Sequence, residues 1–492
     1  MRSLRSVFVA LSVFLVTASC AAHDAAEGAV GTGTDSTHPP TPTTASSHDW
    51  TRFGWNAART SVSTDSTGIN AGNVASLSLQ KVAIDGTVDG SAIYLHGVQA
   101  GGATHNVFFV TTTYGKTLAI DADAGTVLWR FTPPDYGSFA GSYRVTTATP
   151  VAALDRQSIY AASPDGSIRQ LSVADGHVLW TTSITNLPAR EKLASPLNLD
   201  RGHVIAVTGG YIGDEPPYQG HVAIIDASTG QLLHVWNSLC SDRTGLIDPK
   251  SCGESDSAIW GRAGAVIDTT TGNIFVATGN ARWNGSTHWG DAVLELNSDA
   301  TQLLGNYTPS NTDALNASDA DLGSTSPVLL DNGVVAQGGK DGKIRLLTWP
   351  SMRGTTGHKG AESEMVSTPS GDRLFTAPAV MRSGSATWLF AADNGGTTAW
   401  TVSGGHLTSV WHNGNGGTSP LVAAGLLYVY DPGGHLRVYD PTTGRALATL
   451  DVGAGHWNSP IVVDGKIALP EGNSNDHRTS GVFNIFRLPT TP

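Results

Sequence analysis

One phrase recurs along most of this chain: a β-rich run, a tight turn of Asp, Ser, Thr and Gly, a second short β run and usually a closing aromatic. It first reads Leu118-Ala-Ile-Asp-Ala-Asp-Ala-Gly-Thr-Val-Leu-Trp129, and versions follow over 168–180, 222–236, 293–307, 397–411 and 436–450. Such a unit is a hairpin. Repeated at intervals of roughly 40–70 residues, it specifies a ring of small sheets, because no hairpin can cover its own faces and each must be buried by its neighbours.

A second register counts the sheets. A small or hydroxyl residue followed by Pro or Ala opens an apolar run once per repeat, at Ala92, Pro150, Pro196, Ala265, Pro327, Pro378, Pro420 and Pro460. Proline has no N–H to give a ladder and is tolerated at the first residue of a strand, so these positions begin the innermost strand of each unit. The expectation is all-β: an eight-bladed β-propeller of four-stranded antiparallel blades, with seven blades as the alternative because 352–366 is irregular. The last repeat supplies three β runs, over 460–463, 466–469 and 482–486, while Leu77-Ser-Leu-Gln-Lys-Val-Ala-Ile84 has no partner of its own. Strands from the N- and C-terminal ends should therefore share one blade and close the ring without an open edge.

Composition fits this reading and narrows the function. No linker-like stretch interrupts the repeats after Trp50, so 50–492 reads as one domain despite its length, since a ring of sheets keeps adding interfaces where one core could not. The formal net charge is −12 and no basic stripe occurs, which excludes a nucleic-acid partner. Gly115-Lys-Thr117 lacks the upstream glycine of a phosphate loop, no Gly-x-Ser-x-Gly elbow is present, and the histidines show no metal-ligand spacing.

The first twenty residues read as a signal peptide. Arg2 and Arg5 precede an apolar stretch over 7–16, and Thr17-Ala-Ser-Cys20 is a small-residue cleavage site ending in a cysteine. Cys20 resembles the acylated first residue of a bacterial lipoprotein, with plain secretion as the alternative. Residues 21–49 are Ala, Gly, Thr, Ser and Pro with scarcely a bulky apolar group, and read as a disordered tether. The expected location is outside the cytoplasm, with membrane contact only through a lipidated Cys20. There Cys240 and Cys252, bracketing a polar insertion, read as a disulfide worth about 3 kcal/mol.

The hairpin phrase resembles the repeat of the pyrroloquinoline quinone (PQQ) propeller superfamily, most closely in Val222-Ala-Ile-Ile-Asp-Ala-Ser-Thr-Gly230 and Leu436-Arg-Val-Tyr-Asp-Pro-Thr-Thr-Gly444. The resemblance spans about 50–490 and implies an eight-bladed ring whose repeat tryptophans dock between blades. It does not choose an activity, because the superfamily holds calcium-dependent quinoprotein alcohol dehydrogenases as well as non-catalytic members such as the propeller lipoprotein of the outer-membrane assembly machine.

Carried over residue by residue, the dehydrogenase pattern implies a site. Ala277-Thr-Gly-Asn280 matches the segment whose Asn binds calcium, and Trp283-Asn284 and Gly290-Asp291 follow it as in those enzymes. Asp321, with Asp319 close behind, matches the catalytic Asp that follows a Thr-Pro segment, here Thr308-Pro309. Lys340 in Gly338-Gly-Lys-Asp-Gly342 matches the cation that touches the quinone, and Glu215 stands, about a residue out of register, for the remaining calcium ligand. Trp260 is nearest the position of the tryptophan that stacks on the quinone, in a segment otherwise of small residues, and the adjacent cysteine pair of many such enzymes has no counterpart. The same residues also suit plain turn chemistry: Asn280 capping a turn, Asp319 and Asp321 closing a bend, Lys340-Asp341-Gly342 turning a hairpin.

His456, Trp457, Asn458, Glu471 and Asn473 lie near blade starts and are candidates for a ligand pocket at the ring mouth. Two readings follow. The first is a propeller that binds a small molecule, glycan or protein at its ring face without redox turnover, motivated by the missing cysteine pair and the poorly matched tryptophan. The second is a calcium-dependent dehydrogenase using PQQ on an alcohol, sugar or polymer hydroxyl, and it requires Asn280, Asp321 and Lys340 to converge on one face. With no Cys-x-x-Cys-His for haem, electrons would leave through a separate carrier.

Overall fold

The computed structural model describes residues 48–489, so the expected signal peptide, most of the tether and Cys20 lie outside the described residues. Eight sheets form the ring, each an antiparallel meander in chain order except where strands from the N-terminal side join blades 7 and 8. Blade 1 covers 93–131, blade 2 151–183, blade 3 198–237, blade 4 266–307, blade 5 328–367, blade 6 379–413, blade 7 421–451 and blade 8 461–487. Every first strand begins within two residues of an opening read from the sequence. The irregular stretch in blade 5 is a short helix, Trp349–Met352, followed by the fourth strand Glu364–Ser367, so the count is eight and not seven.

Closure is as expected. Ser78–Ile84 pairs antiparallel with Gly481–Arg487, from Ser78 opposite Arg487 to Ile84 opposite Gly481, and supplies the fourth strand of blade 8.

The repeat phrase explains how neighbouring blades lock. In blade 3 the Asp226 carboxylate accepts the N–H groups of Ser228 and Thr229, and Gly230 completes the turn at φ +74°. Trp180 of blade 2 lies against that turn and donates its indole N–H to the Ala227 carbonyl at 3.1 Å. A Cβ on Gly230 would sit 2.6 Å from the Trp180 ring. The pattern repeats with Trp129, Gly176 and the Val173 carbonyl, and with Trp411, Gly444 and the Pro441 carbonyl. Asp, Gly and Trp in one phrase thus serve two blades: the turn receives the preceding tryptophan, and the closing tryptophan reaches the next turn.

Apolar burial follows the same geometry. The core is a series of slices between blades, such as Phe109, Ala119 and Trp129 of blade 1 against Ile159 and Leu171 of blade 2. Each slice draws on neighbouring blades, so blades are stable only in company.

The centre of the ring is filled by the chain just before blade 8's borrowed strand. Trp50 exchanges backbone hydrogen bonds with Tyr94 of blade 1, the Thr51 carbonyl accepts from Ala152 of blade 2, and Arg52 donates to the Leu199 carbonyl of blade 3. The carbonyls of Ala57, Thr60 and Ser61 then accept from Ile267, Val380 and Val422 of blades 4, 6 and 7, and Val62–Ser63 adds a short parallel strand to blade 7. A segment this short can reach six inner strands only from the axis. Residues 50–63 are a plug, which the repeat pattern did not foreshadow.

Cys240 and Cys252 are bonded, with their Cα atoms 5.8 Å apart, and tie off the insertion between blades 3 and 4. Among the described residues no helix is long and apolar enough to cross a membrane.

Candidate functional site

In a meander, the entry to the first strand and the turn between the second and third strands emerge at the same end of the sheet. Blades 2 to 6 and 8 use these segments to line one cavity of about 730 Å³ at that end of the ring. Trp260 and Arg262 come from the entry to blade 4, Asn280 from its second turn, Asp319 and Asp321 from the entry to blade 5, and Lys340 from the turn of blade 5.

These side chains touch. The Lys340 ammonium lies 2.5 Å from Asp321 Oδ2 and 2.8 Å from Asp319 Oδ1. The Asn280 backbone N–H donates to Asp321 Oδ1 at 2.6 Å, while its side-chain amide donates to Asp319 at 3.0 Å. Lys340 also stands 5.3 Å from the centre of the Trp260 ring, within reach of a cation–π contact. Gly279 makes the close approach possible, since a Cβ there would meet Asp321 Oδ1 at 2.5 Å. Burial raises the pKa of Asp321 above the usual carboxylate value, with Lys340 pulling the other way. Burial disfavours the charge on Lys340, but Asp321 and Asp319 outweigh it and hold the ammonium above its ordinary range.

Behind them lies Asp291, whose Oδ1 accepts the Leu322 N–H at 2.9 Å and whose Oδ2 is buried without a partner. Burial pushes its pKa up to about 8. The residue that follows Asp321 is thus held by a carboxyl that keeps its proton at neutral pH.

The floor of the cavity is cationic. Burial, opposed by Asp89 and reinforced by Arg262, brings the Lys192 ammonium down to about 8. Arg262 is 4 % exposed; one nitrogen donates to the Thr147 carbonyl at 3.2 Å, and Nε and Nη2 have no partner. Its guanidinium lies over the ring of Phe53 in the plug, at 5.3 Å. Opposite, Asp214 accepts the Tyr218 hydroxyl at 3.1 Å, and burial raises the carboxyl of Asp256.

Not every expected residue arrives. Glu215 forms an ion pair with Arg190 and is two-thirds exposed, while its neighbour Asp214 lines the cavity. His456 and Trp457 line it as well, but Asn458 is buried beneath them, accepting the His456 N–H and donating to the Val88 carbonyl. Glu471 and Asn473 line a separate cavity of about 440 Å³, where Glu471 accepts from Gly453 and Asn484 and Asn473 caps a short 3₁₀ turn. Lys192, Arg262, Arg373 and Phe375 carry no motif, yet each falls within five residues upstream of an opening, at Pro196, Ala265 or Pro378. That position was the available signal.

The pocket can be compared with the two expected groups. A flat polycarboxylate such as PQQ finds an indole face at Trp260, a cation beside it at Lys340, and further cations at Lys192 and Arg262 in the cavity lining; these residues fit it. The calcium set is incomplete. Asn280 Oδ1, buried without a hydrogen-bond partner, and Asp321 are suitable oxygens, but Glu215 is elsewhere, and no three His, Cys, Asp or Glu side chains among the described residues cluster to hold a metal.

Known proteins agree with this fold. A family model described as outer membrane protein assembly factor BamB matches residues 87–245. Together with the matches below, it supports a PQQ-like repeat β-propeller. The propeller is 26% identical to quinohemoprotein alcohol dehydrogenase ADH IIB of Pseudomonas putida over 166 residues, 33% of this chain and 22% of that one. It is 23% identical to a polyvinylalcohol dehydrogenase of a Pseudomonas species over 201 residues, 38% of this chain and 30% of that protein. The match thus spans less than a third of either relative. The propeller also superposes on the crystal structure of quinohemoprotein alcohol dehydrogenase from Comamonas testosteroni with a TM-score of 0.66 at 16% identity, covering 90% of this chain and 82% of that one. BamB from Moraxella catarrhalis gives 0.51 at 12% identity over 84% and 99%; both are likenesses of fold.

Proposed function

We propose that the propeller binds PQQ in the 730 Å³ cavity and oxidises a hydroxyl group there. The observation that carries this is the meeting of Asn280, Asp321 and Lys340 within hydrogen-bond distance beside Trp260, from three separate loops of blades 4 and 5. Turn chemistry alone does not require separate loops to converge on one carboxylate.

Each side chain then has a task. Trp260 would offer a plane for the quinone, and Lys192 and Arg262 would supply positive charge for its carboxylates. Bound PQQ supplies the two-electron oxidant. Asp321 takes the proton of the substrate hydroxyl, its basicity raised by burial, while the Asn280 N–H fixes one of its oxygens. Lys340 keeps Asp321 ionised and places positive charge where negative charge develops. No step is assigned to calcium. In this reading the protein works outside the cytoplasm, held at the envelope by a lipid on Cys20 or secreted, and passes electrons to a separate carrier.

A second reading, a ring-face binding module without turnover, is favoured by the incomplete calcium set and by the family match over blades 1 to 3. Calorimetric titration of the full chain with PQQ, with and without calcium, separates the two. The dehydrogenase reading expects micromolar or tighter binding that Lys340→Ala weakens at least tenfold, followed by dye-linked oxidation of an alcohol. Absence of binding under both conditions leaves the binding module.

A further inference from the structure

A second cavity of about 570 Å³ lies beside the first, over blades 6 to 8, and shares Arg373, Phe375, His456 and Trp457 with it. The two are joined by a row of rings. Trp260 is 6.0 Å from Phe375, Phe375 is 5.5 Å from Trp457, and Trp457 is 4.3 Å from His456, so one aromatic wall runs from beside Lys340 into the second compartment.

The charges of this compartment are largely spent internally. Asp393 accepts from Ser370, Gly395 and Gly396, and Arg437 is paired with Asp431 at 2.7 Å. What remains is the Arg373 cation on the border shared with the first cavity, the Asn394 amide oxygen, and backbone left open at Gly414, where a Cβ would meet nothing within 4 Å. A planar guanidinium edge and amides suit adjacent hydroxyls, and an aromatic face suits the C–H side of a sugar or polyol. With Arg437 paired to Asp431 and the Asp393 carboxylate in the wall, an anionic ligand finds less compensation here than beside Lys192 and Arg262 in the first cavity.

We propose that the second cavity is a binding subsite for the distal units of an uncharged hydroxylated chain, a saccharide or a linear polyol, which lies along the aromatic row and presents one hydroxyl to Asp321. This names the substrate class of the dehydrogenase reading and rests on that reading for the fate of the ligand, not for its binding. A ligand of one unit occupies one compartment; a chain occupies both and gains affinity with length.

The test uses the full chain and uncharged probes graded in length: glycerol, xylitol and sorbitol in one arm, and glucose with its α- and β-linked oligomers in another. Binding is read by tryptophan fluorescence and calorimetry, and PQQ binding is measured on the same samples. Gly414→Trp is the blocking variant, because a Cβ there meets nothing within 4 Å and the new ring would fill the compartment; Asn394→Ala is the milder one. The expected result is at least a tenfold gain in affinity with length in one arm, lost in Gly414→Trp and reduced in Asn394→Ala, with PQQ binding kept in both. No gain with length in either arm overturns the proposal, as does a gain that survives Gly414→Trp. Failure of the native protein to bind PQQ would remove the dehydrogenase reading and leave the length dependence to decide this one.

Discussion

Phe53 of the central plug supports Arg262 at the cavity floor, the guanidinium lying 5.3 Å from the ring centre. A second guanidinium, Arg59, lies over the same ring at 5.9 Å, and Arg59 donates to the Leu197 carbonyl of blade 3. The plug therefore does more than fill the axis: it fixes a cavity cation. Phe53→Ala should cost about 3–5 kcal/mol of stability, as for a buried aromatic, and weaken PQQ binding about tenfold. In an Arg262→Gln background the binding loss should vanish while the stability loss remains. Additive binding losses in the double-mutant cycle would show that Phe53 acts on the site by another route.

Lys192 gives the floor a pH dependence. Its ammonium is brought down to about 8 by burial and lines the cavity with no ion-pair partner among the described residues, so it is charged below that pH and neutral above it. Affinity for a polycarboxylate should fall as pH rises from 7 to 9, with the midpoint at or above 8 because a bound anion favours the charged form. Lys192→Met should bind more weakly and lose this slope. An unchanged slope would place the titration elsewhere.

Asp291 should make the fold less stable as pH rises. Burial holds its pKa near 8, against an ordinary value of 3.8, so between these values the folded protein keeps a proton that the unfolded chain has released. With more protons bound in the folded state, the unfolding free energy falls through this window and levels off above it. Asp291→Asn retains an acceptor for the Leu322 N–H without the titration. Denaturant unfolding of the two proteins should converge at low pH and diverge by pH 8, the variant being the more stable; parallel curves would refute the assignment.

The inter-blade contact can be tested with two glycines of similar backbone. Gly230 at φ +74° receives Trp180, whereas Gly202 at φ +79° has nothing within 4 Å of a Cβ. Gly202→Ala should cost about 1–2 kcal/mol from the left-handed backbone alone. Gly230→Ala adds displacement of the indole and should cost about 1–3 kcal/mol more. Equal losses in chemical denaturation would mean that the tryptophan can yield without penalty.

Much of the fold was legible because it is local and repeated. Asp226 and Gly230 stand four residues apart, as do Asp121 and Gly125 and Asp440 and Gly444, and a turn with an Asx carboxylate and a left-handed glycine follows from those residues alone. Pro150 or Pro460 marks a strand start because proline cannot join the ladder, whichever blade lies beside it. The plug was not legible, because Trp50 to Ser63 carries no repeat and its hydrogen bonds go to strands spread along the chain from Tyr94 to Val422.

The site divides along the same line. Spacing along the chain carried the hairpins, a count of eight blades with seven as the alternative, the closure by Ser78–Ile84 and the residue types available at the entries to the blades. Only the tertiary structure decided that Lys340 meets Asp321 while Glu215 turns away to Arg190, and that Phe375 joins Trp260 to Trp457. Those relations arise when eight loop sets are brought around one axis, and the direction in which a loop side chain points is set by the blades that flank it.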